Sequence, residues 1–327
     1  MRAVTYSARG PPPVFELIDI EVPTPRDDEV LVKVHATGVN SWDAELMPKE
    51  PSRVSLGKRA DKRYRILGAD VAGTVESVGS KVTRFRPGDA VFGDLSNSGW
   101  GGYAEFVCAR DRNLMLKPEG MTFVDAAATP QAGLLAFQAL RKKGGVQAGD
   151  RVLINGAGGG VGTFAIQICR AWGAEVTGVD REDKFDLMRS LGAAHVIDYR
   201  EEDFTKSGSR YDFILDPKTD RSMSDYKRAL NRGGAYVTVG GKGRKIMSIL
   251  FLGPLVGLTS GKRFGLLILR ANRDLDLLTE MIVGGKVRPI VDRTFPLEQV
   301  GEAIAHIGDG HVRGKVVITV IPDGQDG

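Results

Sequence analysis

The chain has 327 residues, 42% of them hydrophobic and 26% charged, which is more than a single core comfortably holds and makes two globular domains the default. Its 45 lysines and arginines exceed its 41 aspartates and glutamates by a small, dispersed margin, so a pI near 9.0 implies attraction to anionic small molecules and excludes a nucleic-acid surface. Two cysteines, Cys108 and Cys169, exclude a multi-bridge disulfide framework and a cysteine-rich zinc site, and both suit a reduced interior.

Met1-Arg2-Ala3-Val4-Thr5-Tyr6 opens directly into a strand pattern, without a signal-peptide apolar core or a transit-like arginine/serine stretch, so a cytoplasmic protein is expected. The first third reads as β-structure: Val30-Leu31-Val32-Lys33-Val34 and Val71-Ala72-Gly73-Thr74-Val75 have strand composition, and the turn signals Arg86-Pro87-Gly88-Asp89 and Gln147-Ala148-Gly149-Asp150 precede further strands. A helical stretch from Phe123 to Lys142 leads into alternating strands and helices. The strands are Arg151–Ile154, Glu175–Val179, His195–Ile197, Asp212–Leu215, Ala235–Val239 and Gly265–Leu269, and the alternation implies an α/β fold with a parallel, doubly wound sheet. Beyond it come one helix, Leu275 to Val283, and a return to β-type sequence at Val287–Val291 and Lys315–Val320. The expected arrangement is a cofactor domain, residues 125–270, inserted between a β-rich domain, 1–124, and its C-terminal return, 271–327.

Ile246 to Leu258 is strongly apolar but only 13 residues long and broken by Gly253-Pro254, so it is no transmembrane segment. A buried helix is the favoured reading; an apolar wall of a substrate cleft or a shallow membrane contact is the alternative.

The most informative stretch is Asn155-Gly156-Ala157-Gly158-Gly159-Gly160-Val161-Gly162, between the strand ending at Ile154 and an amphipathic helix carrying Val161, Phe164, Ala165, Ile168 and Trp172. Read as Ala157-x-Gly159-x-x-Gly162, it is a dinucleotide fingerprint: small residues for the tight turn, bare backbone at the pyrophosphate and close packing of helix on strand. The helix N-terminus offers N–H groups and a positive dipole end to phosphate. Asp180, at the end of the next strand and 21 residues after Gly159, is placed to accept from a ribose diol. Arg181, helped by Lys184 and by Tyr199 at the end of the third strand, would instead pair with a 2′-phosphate, a solvated charge cluster being the alternative for Arg181 and Lys184, so dual use of NADH and NADPH is expected.

His35 and His195 lie in strand patterns and read as structural; His306 and His311 have no metal partner at suitable spacing. No Ser-His-Asp or Cys-His arrangement is present.

Taken together, Val32-Lys33-Val34-His35-Ala36-Thr37-Gly38-Val39-Asn40, Leu67-Gly68-Ala69-Asp70-Val71-Ala72-Gly73, Pro87-Gly88-Asp89, the glycine turn, Val196-Ile197-Asp198-Tyr199 and Arg313-Gly314-Lys315-Val316-Val317 resemble the medium-chain dehydrogenase/reductase superfamily, in particular its zinc-independent quinone oxidoreductase branch. The resemblance implies a GroES-like catalytic domain plus a Rossmann domain, dimerising through the sheet edge near Gly265–Leu269. It places Asn40, Ser41 and Asp43 at the catalytic end of the cleft, where Asn40 could donate to a substrate oxygen; an Asn40 that only caps a turn is the equal alternative, and Asp43 reads better as a loop-holding carboxylate. It also implies cofactor contacts from Thr129, from Gly156, Ala157, Gly159, Gly160, Val161 and Gly162, from Val239, Gly240 and Gly241, and from Lys315. The superfamily's Asp-x-x-Gly loop is here Asp216-Pro217-Lys218-Thr219, which departs from the pattern.

Zinc enzymes of this superfamily carry a cysteine where this chain has Asn40 and a histidine where it has Ala69, so the resemblance implies no metal. Without a Lewis acid, oxidising a simple alcohol is hard, whereas hydride reduction of a quinone or activated enone gives a stabilised product. The expected function is reduction of a small apolar carbonyl or quinone with NAD(P)H. An alcohol or aldehyde dehydrogenase, and a dinucleotide-binding protein without turnover, are the competing readings.

Overall fold

The computed structural model describes residues 1–7, 14–46, 66–241 and 243–321. In chain order its elements are β1 (Arg2–Ser7), β2 (Val14–Asp19), β3 (Glu29–Val39), α1 (Ser41–Leu46), β4 (Asp70–Val78), β5 (Ala90–Asp94), β6 (Phe106–Arg110), β7 (Met115–Leu116), α2 (Phe123–Ala128), α3 (Pro130–Leu140), β8 (Arg151–Asn155), α4 (Gly160–Ala171), β9 (Glu175–Asp180), α5 (Phe185–Leu191), β10 (His195–Asp198), β11 (Tyr211–Asp216), α6 (Met223–Ala229), β12 (Leu230–Thr238), α7 (Gly243–Ser260), β13 (Arg263–Leu266), α8 (Leu275–Val283), β14 (Val291–Pro296), α9 (Val300–Gly308) and β15 (Lys315–Thr319). They form two compact units, one of residues 1–131 with 291–327 and one of residues 132–290.

The first unit is built on a seven-stranded sheet, β14-β15-β3-β4-β5-β7 with β6 paired to β3. β3 is long enough to hold three antiparallel partners, β4, β6 and β15. Its alternating Val30, Val32 and Val34 are buried with Val71, Val75, Val91 and Val107, the pattern of a strand whose inner face packs on a core. A second cluster joins Val39, Leu67, Ala69, Trp100 and Tyr103 to Val300, Ala303 and Ile304 of α9. At the end of β3, any side chain on Gly38 would run into the Ala127 carbonyl, so glycine there lets α2 lie against the strand.

The second unit is a six-stranded sheet in the order β10-β9-β8-β11-β12-β13, every neighbouring pair parallel. The order reverses between β8 and β11. In such a doubly wound sheet ligands bind at that switch point, outside the carboxyl ends of the strands, here Asn155 and Asp216. α4 covers the sheet with Phe164, Ala165 and Ile168, all wholly buried.

Several elements depart from expectation. The Phe123–Lys142 stretch is two helices, because Pro130 starts α3 at a first-turn position where its missing N–H costs nothing. The edge strand is Arg263–Leu266, earlier than the expected Gly265–Leu269. Val287–Val291 is not a strand as a whole; pairing begins at Val291, opposite Lys315. The units part at 131/132 and 290/291 instead of 124/125 and 270/271. The reason is α8, whose Leu278 lies against Gly133 of α3, while the Gln167 amide bonds both the Arg288 N–H and its carbonyl. The favoured reading of Ile246–Leu258 as a buried helix is corrected: α7 is a helix, but Ile249 is buried while Phe251 is 65% and Leu258 85% exposed. One packed face cannot bury a helix that is apolar all round.

Candidate functional site

In the second unit the chain leaves β8 at Asn155 and turns through Gly156, which takes a left-handed φ of 88°, to reach α4. Ala157 is fully buried, and its N–H and that of Gly156 donate to the Val179 carbonyl at the end of β9. A Cβ on Gly162 would lie 2.5 Å from Ala157 Cα, so glycine is what lets the first turn of α4 pack on the loop. Gly159, the residue before α4, is different: a Cβ there would meet only the Gly156 carbonyl, at 3.5 Å, and no side chain caps the helix. The N–H groups of Gly160, Val161 and Gly162 therefore open on uncrowded space, the arrangement that receives a pyrophosphate. The residues present fit a dinucleotide.

Asp180 ends β9 almost wholly buried, and its carboxylate is already engaged. Oδ2 accepts the Gly158 N–H at 2.9 Å, Oδ1 accepts the Arg181 N–H at 3.0 Å, and Lys184 Nζ stands 3.2 Å from Oδ1 with its own side chain buried. Lys184 is thus turned inward onto Asp180, not outward as a free phosphate contact. Arg181 Nε lies 3.0 Å from Asp183, and Tyr199 is half exposed just past β10. Asp198 is held far below the usual carboxylate range by the Arg200 guanidinium.

At the switch point Asp216 is fully buried and ties three segments together. It accepts from the Asn155 amide at 2.9 Å, from the Lys218 and Thr219 N–H groups at 2.8 Å each, and from the Tyr236 hydroxyl at 2.9 Å. Thr219 takes a left-handed φ of 47°. That conformation is costly for a β-branched residue, and its hydroxyl is held by Thr238 Oγ1 and the Gly240 carbonyl, both at 2.5 Å. The loop Val239-Gly240-Gly241 is fixed by the bonds to the Gly240 carbonyl, and any side chain on Gly241 would strike the Lys218 carbonyl. The exposed Lys218 lays its stem 3.2 Å from the position of a Cβ on Gly156, bringing a cation to the glycine turn.

The first unit holds a buried polar cluster. Asn40 ends β3 and precedes α1; its N–H donates to Asp43 Oδ2 at 2.8 Å, and Asp43 Oδ1 accepts the Gly68 N–H at 3.1 Å. Asp43 is therefore the carboxylate that fixes the Asn40 turn, fully buried, with burial pushing its pKa up to about 6 against the pull of those two N–H groups. The Asn40 amide nitrogen donates to Asp70 Oδ2 at 3.0 Å and its oxygen accepts from Lys315 Nζ at 2.5 Å. Lys315 opens β15 and is buried; Nζ also donates to the Val39 carbonyl at 3.0 Å and lies 3.7 Å from Asp70. The ammonium is engaged inside this cluster, hydrogen-bonded to Asn40 and serving as the counter-ion of Asp70. Burial raises Asp70 to about 7, Lys315 pulling it back and Asp94 pushing it further, and burial lowers Lys315. Ser41 is exposed at the start of α1, and Thr129 is buried between α2 and α3, its hydroxyl donating to the Asp125 carbonyl at 2.7 Å. His35 stacks on Phe123 and bonds Thr74.

Sequence reasoning passed over Asp70 and Asp94, and took Lys218 and Thr219 only as part of a loop that departs from the superfamily's pattern. The signal for Asp70 was there: a carboxylate inside the apolar run Leu67 to Val75 is costly unless a buried partner awaits it.

The family comparisons agree with this architecture. A family model described as an alcohol dehydrogenase GroES-like domain matches residues 26–119, and one described as a zinc-binding dehydrogenase matches residues 191–318. The human mitochondrial NAD(P)H oxidoreductase RTN4IP1 is 35% identical over 90% of this chain and 82% of its own length. The chloroplast envelope quinone oxidoreductase homolog of Arabidopsis thaliana is 30% identical, over 97% of this chain and 98% of its own. Among solved structures, the quinone oxidoreductase from Coxiella burnetii has a TM-score of 0.84 at 31% identity, covering 98% of this chain and 99% of that one. The chain belongs to the quinone oxidoreductase branch of the medium-chain dehydrogenase/reductase superfamily.

Proposed function

We propose that this protein is a NAD(P)H-dependent reductase of quinones and activated enones or carbonyls that works without zinc. The observation that carries the reading is the open N-terminus of α4 at Gly159, at the switch point of a doubly wound sheet. The glycine turn and the N–H groups of Gly160, Val161 and Gly162 would hold the pyrophosphate, Lys218 would add a counter-charge, and Asp180, Arg181 and Tyr199 would meet the adenosine ribose. The Pro217–Thr219 and Val239–Gly241 loops, braced by Asp216, and Thr129 would flank the nicotinamide.

NAD(P)H supplies a hydride, and the substrate then needs one proton to complete a hydroquinone or saturated carbonyl. Asn40 has a second amide N–H beyond the one given to Asp70, and we assign it to the substrate oxygen. Lys315 and Asp70 hold that amide in place, and Asp43 fixes the turn that presents it. Ser41, exposed beside Asn40, is a further substrate contact.

The donors do not suit zinc. Asn40 and Ala69 stand where the superfamily's zinc ligands would be, no group of three His, Cys, Asp or Glu among the described residues is placed to hold a metal, and the Lys315 ammonium occupies the cluster's cation position. With Lys184 neutralising Asp180, both NADH and NADPH are accepted. Two further parts of the reading are a homodimer through the free edge of β13 and a cytoplasmic location, which the buried, unbridged Cys169 suits.

The test is a screen of NADH and NADPH oxidation at about 340 nm against quinones, enones, aldehydes and, in reverse, simple alcohols. Turnover of quinones or enones supports the assignment; turnover confined to alcohols overturns it.

A further inference from the structure

Gln131 places an unsatisfied amide inside the first unit. The residue is 3% exposed, and among the described residues its Nε2 has no hydrogen-bond partner. Two amide N–H groups shut away from water without an acceptor destabilise the fold, and a group of that kind calls for a partner that the folded chain does not itself supply.

The backbone around this amide ties it to the polar cluster. Gln131 is the second residue of α3, and since Pro130 has no N–H, the Gln131 N–H is the first that the helix can donate. It goes to Asp70 Oδ1 at 3.0 Å. Oδ2 of the same carboxylate accepts the Asn40 amide, also at 3.0 Å, and faces Lys315 Nζ at 3.7 Å. Asn40 and Gln131 are therefore held on the two oxygens of one buried carboxylate whose charge Lys315 balances. The Asn40 amide cannot turn over, because its oxygen is taken by Lys315, so the N–H it has left keeps one direction. Gln131 brings a second uncommitted amide to the same carboxylate.

We propose that Gln131 is a further donor to the substrate's carbonyl oxygen, so that Asn40 and Gln131 together form a two-amide hole for the negative charge which that oxygen takes up. The inference rests on the reductase reading and adds a residue to it. Addition of a hydride at the β-carbon of an enone shifts the C=C pair toward the carbonyl carbon and the C=O pair onto oxygen; the product is an enolate, the nicotinamide is left oxidised, and the α-carbon then takes one proton from water. Addition to a quinone gives a hydroquinone anion, which takes its proton on oxygen. Fixed N–H donors suit both steps, because their bonds strengthen as charge develops on the oxygen they face.

The test is Gln131→Met in the full chain, assayed with NADPH against an enone and a quinone. The substitution removes the donors, keeps an unbranched side chain and leaves the backbone bond to Asp70 in place. Losing an unsatisfied amide does not weaken the fold, so the melting temperature should equal or exceed that of the wild type, and NADPH affinity by calorimetry should not change. With both acceptors kcat should fall about a hundredfold. A second readout needs no turnover: 4-nitrophenol, whose visible-absorbing anion mimics the enolate oxygen, should shift toward its ionised form on binding the wild type and lose that shift in the variant. Unchanged kcat, a loss of kcat matched by weaker NADPH binding, or a lowered melting temperature with the phenol shift intact overturns the assignment. If the wild type reduces neither acceptor, the reductase reading falls and the phenol alone decides: a shift that Gln131→Met abolishes sustains the amide pair, and no shift in the wild type overturns it.

Discussion

The Lys184 ammonium lies 3.2 Å from the Asp180 carboxylate, both side chains being more than nine-tenths buried at the end of β9. A lone Asp180 would select NADH, because it repels a 2′-phosphate; an Asp180 already paired does so far less. Lys184→Met should therefore lower the NADPH/NADH ratio of kcat/KM by about tenfold, roughly 1.4 kcal/mol. Asp180→Ser should raise that ratio and Arg181→Ala lower it. Ratios that none of the three moves would show that the end of β9 does not meet the adenosine ribose.

Gly159→Val tests the cradle itself. The added side chain has room in the folded protein, since a Cβ there meets only the Gly156 carbonyl at 3.5 Å, but it projects into the mouth of α4. Dinucleotide affinity measured by calorimetry should fall more than about tenfold while the melting temperature stays close to wild type. Gly162→Val, by contrast, should destabilise the fold, because its Cβ would collide with Ala157.

The Asn40–Lys315–Asp70 cluster predicts a pH-dependent loss of stability on Lys315→Met. Removing the lysine leaves Asp70 buried without its cation. Asp70 has a pKa raised to about 7 even with Lys315 pulling it down, so without the lysine it rises further and protonation quenches the unpaired charge until the pH lies well above 7. The cost should be larger at about pH 9 than at about pH 5.5, read from urea unfolding midpoints, because only at the higher pH does wild-type Asp70 carry the charge that the lysine stabilises. In the wild type the raised pKa values of Asp43 and Asp70 act in the same sense: a carboxyl raised on folding contributes stability that is complete below its unfolded value and lost as pH rises through about 6 to 7. An equal cost of Lys315→Met at both pH values would mean that Asp70 is not what the lysine holds.

Much of the second unit was legible in the sequence because its signals are local. The glycine turn, the α4 stripe of Phe164, Ala165 and Ile168, and Asp180 at the strand end all lie within one βαβ unit, where spacing alone fixes geometry. What the sequence could not show was partnership across it. Lys184 reads as a solvated charge until the fold turns it onto Asp180, and Lys315 lies 275 residues from the Asn40 it bonds. Thr219 gave no warning of its left-handed backbone, because the hydroxyl partners that hold it, Thr238 and Gly240, lie on another strand end. The outward face of α7 failed for a related reason: hydropathy records apolar content, not which side of a helix finds a neighbour.

The most direct test of the central claim is the steady-state rate of NAD(P)H oxidation with a quinone acceptor, measured on protein dialysed against a strong chelator and again after zinc is added back. We expect full quinone-dependent turnover in the chelated protein, no gain on adding zinc, and loss of that turnover in Gly159→Val. Quinone reduction that disappears with the chelator and returns with zinc, or its absence from the wild type under both conditions, would contradict it.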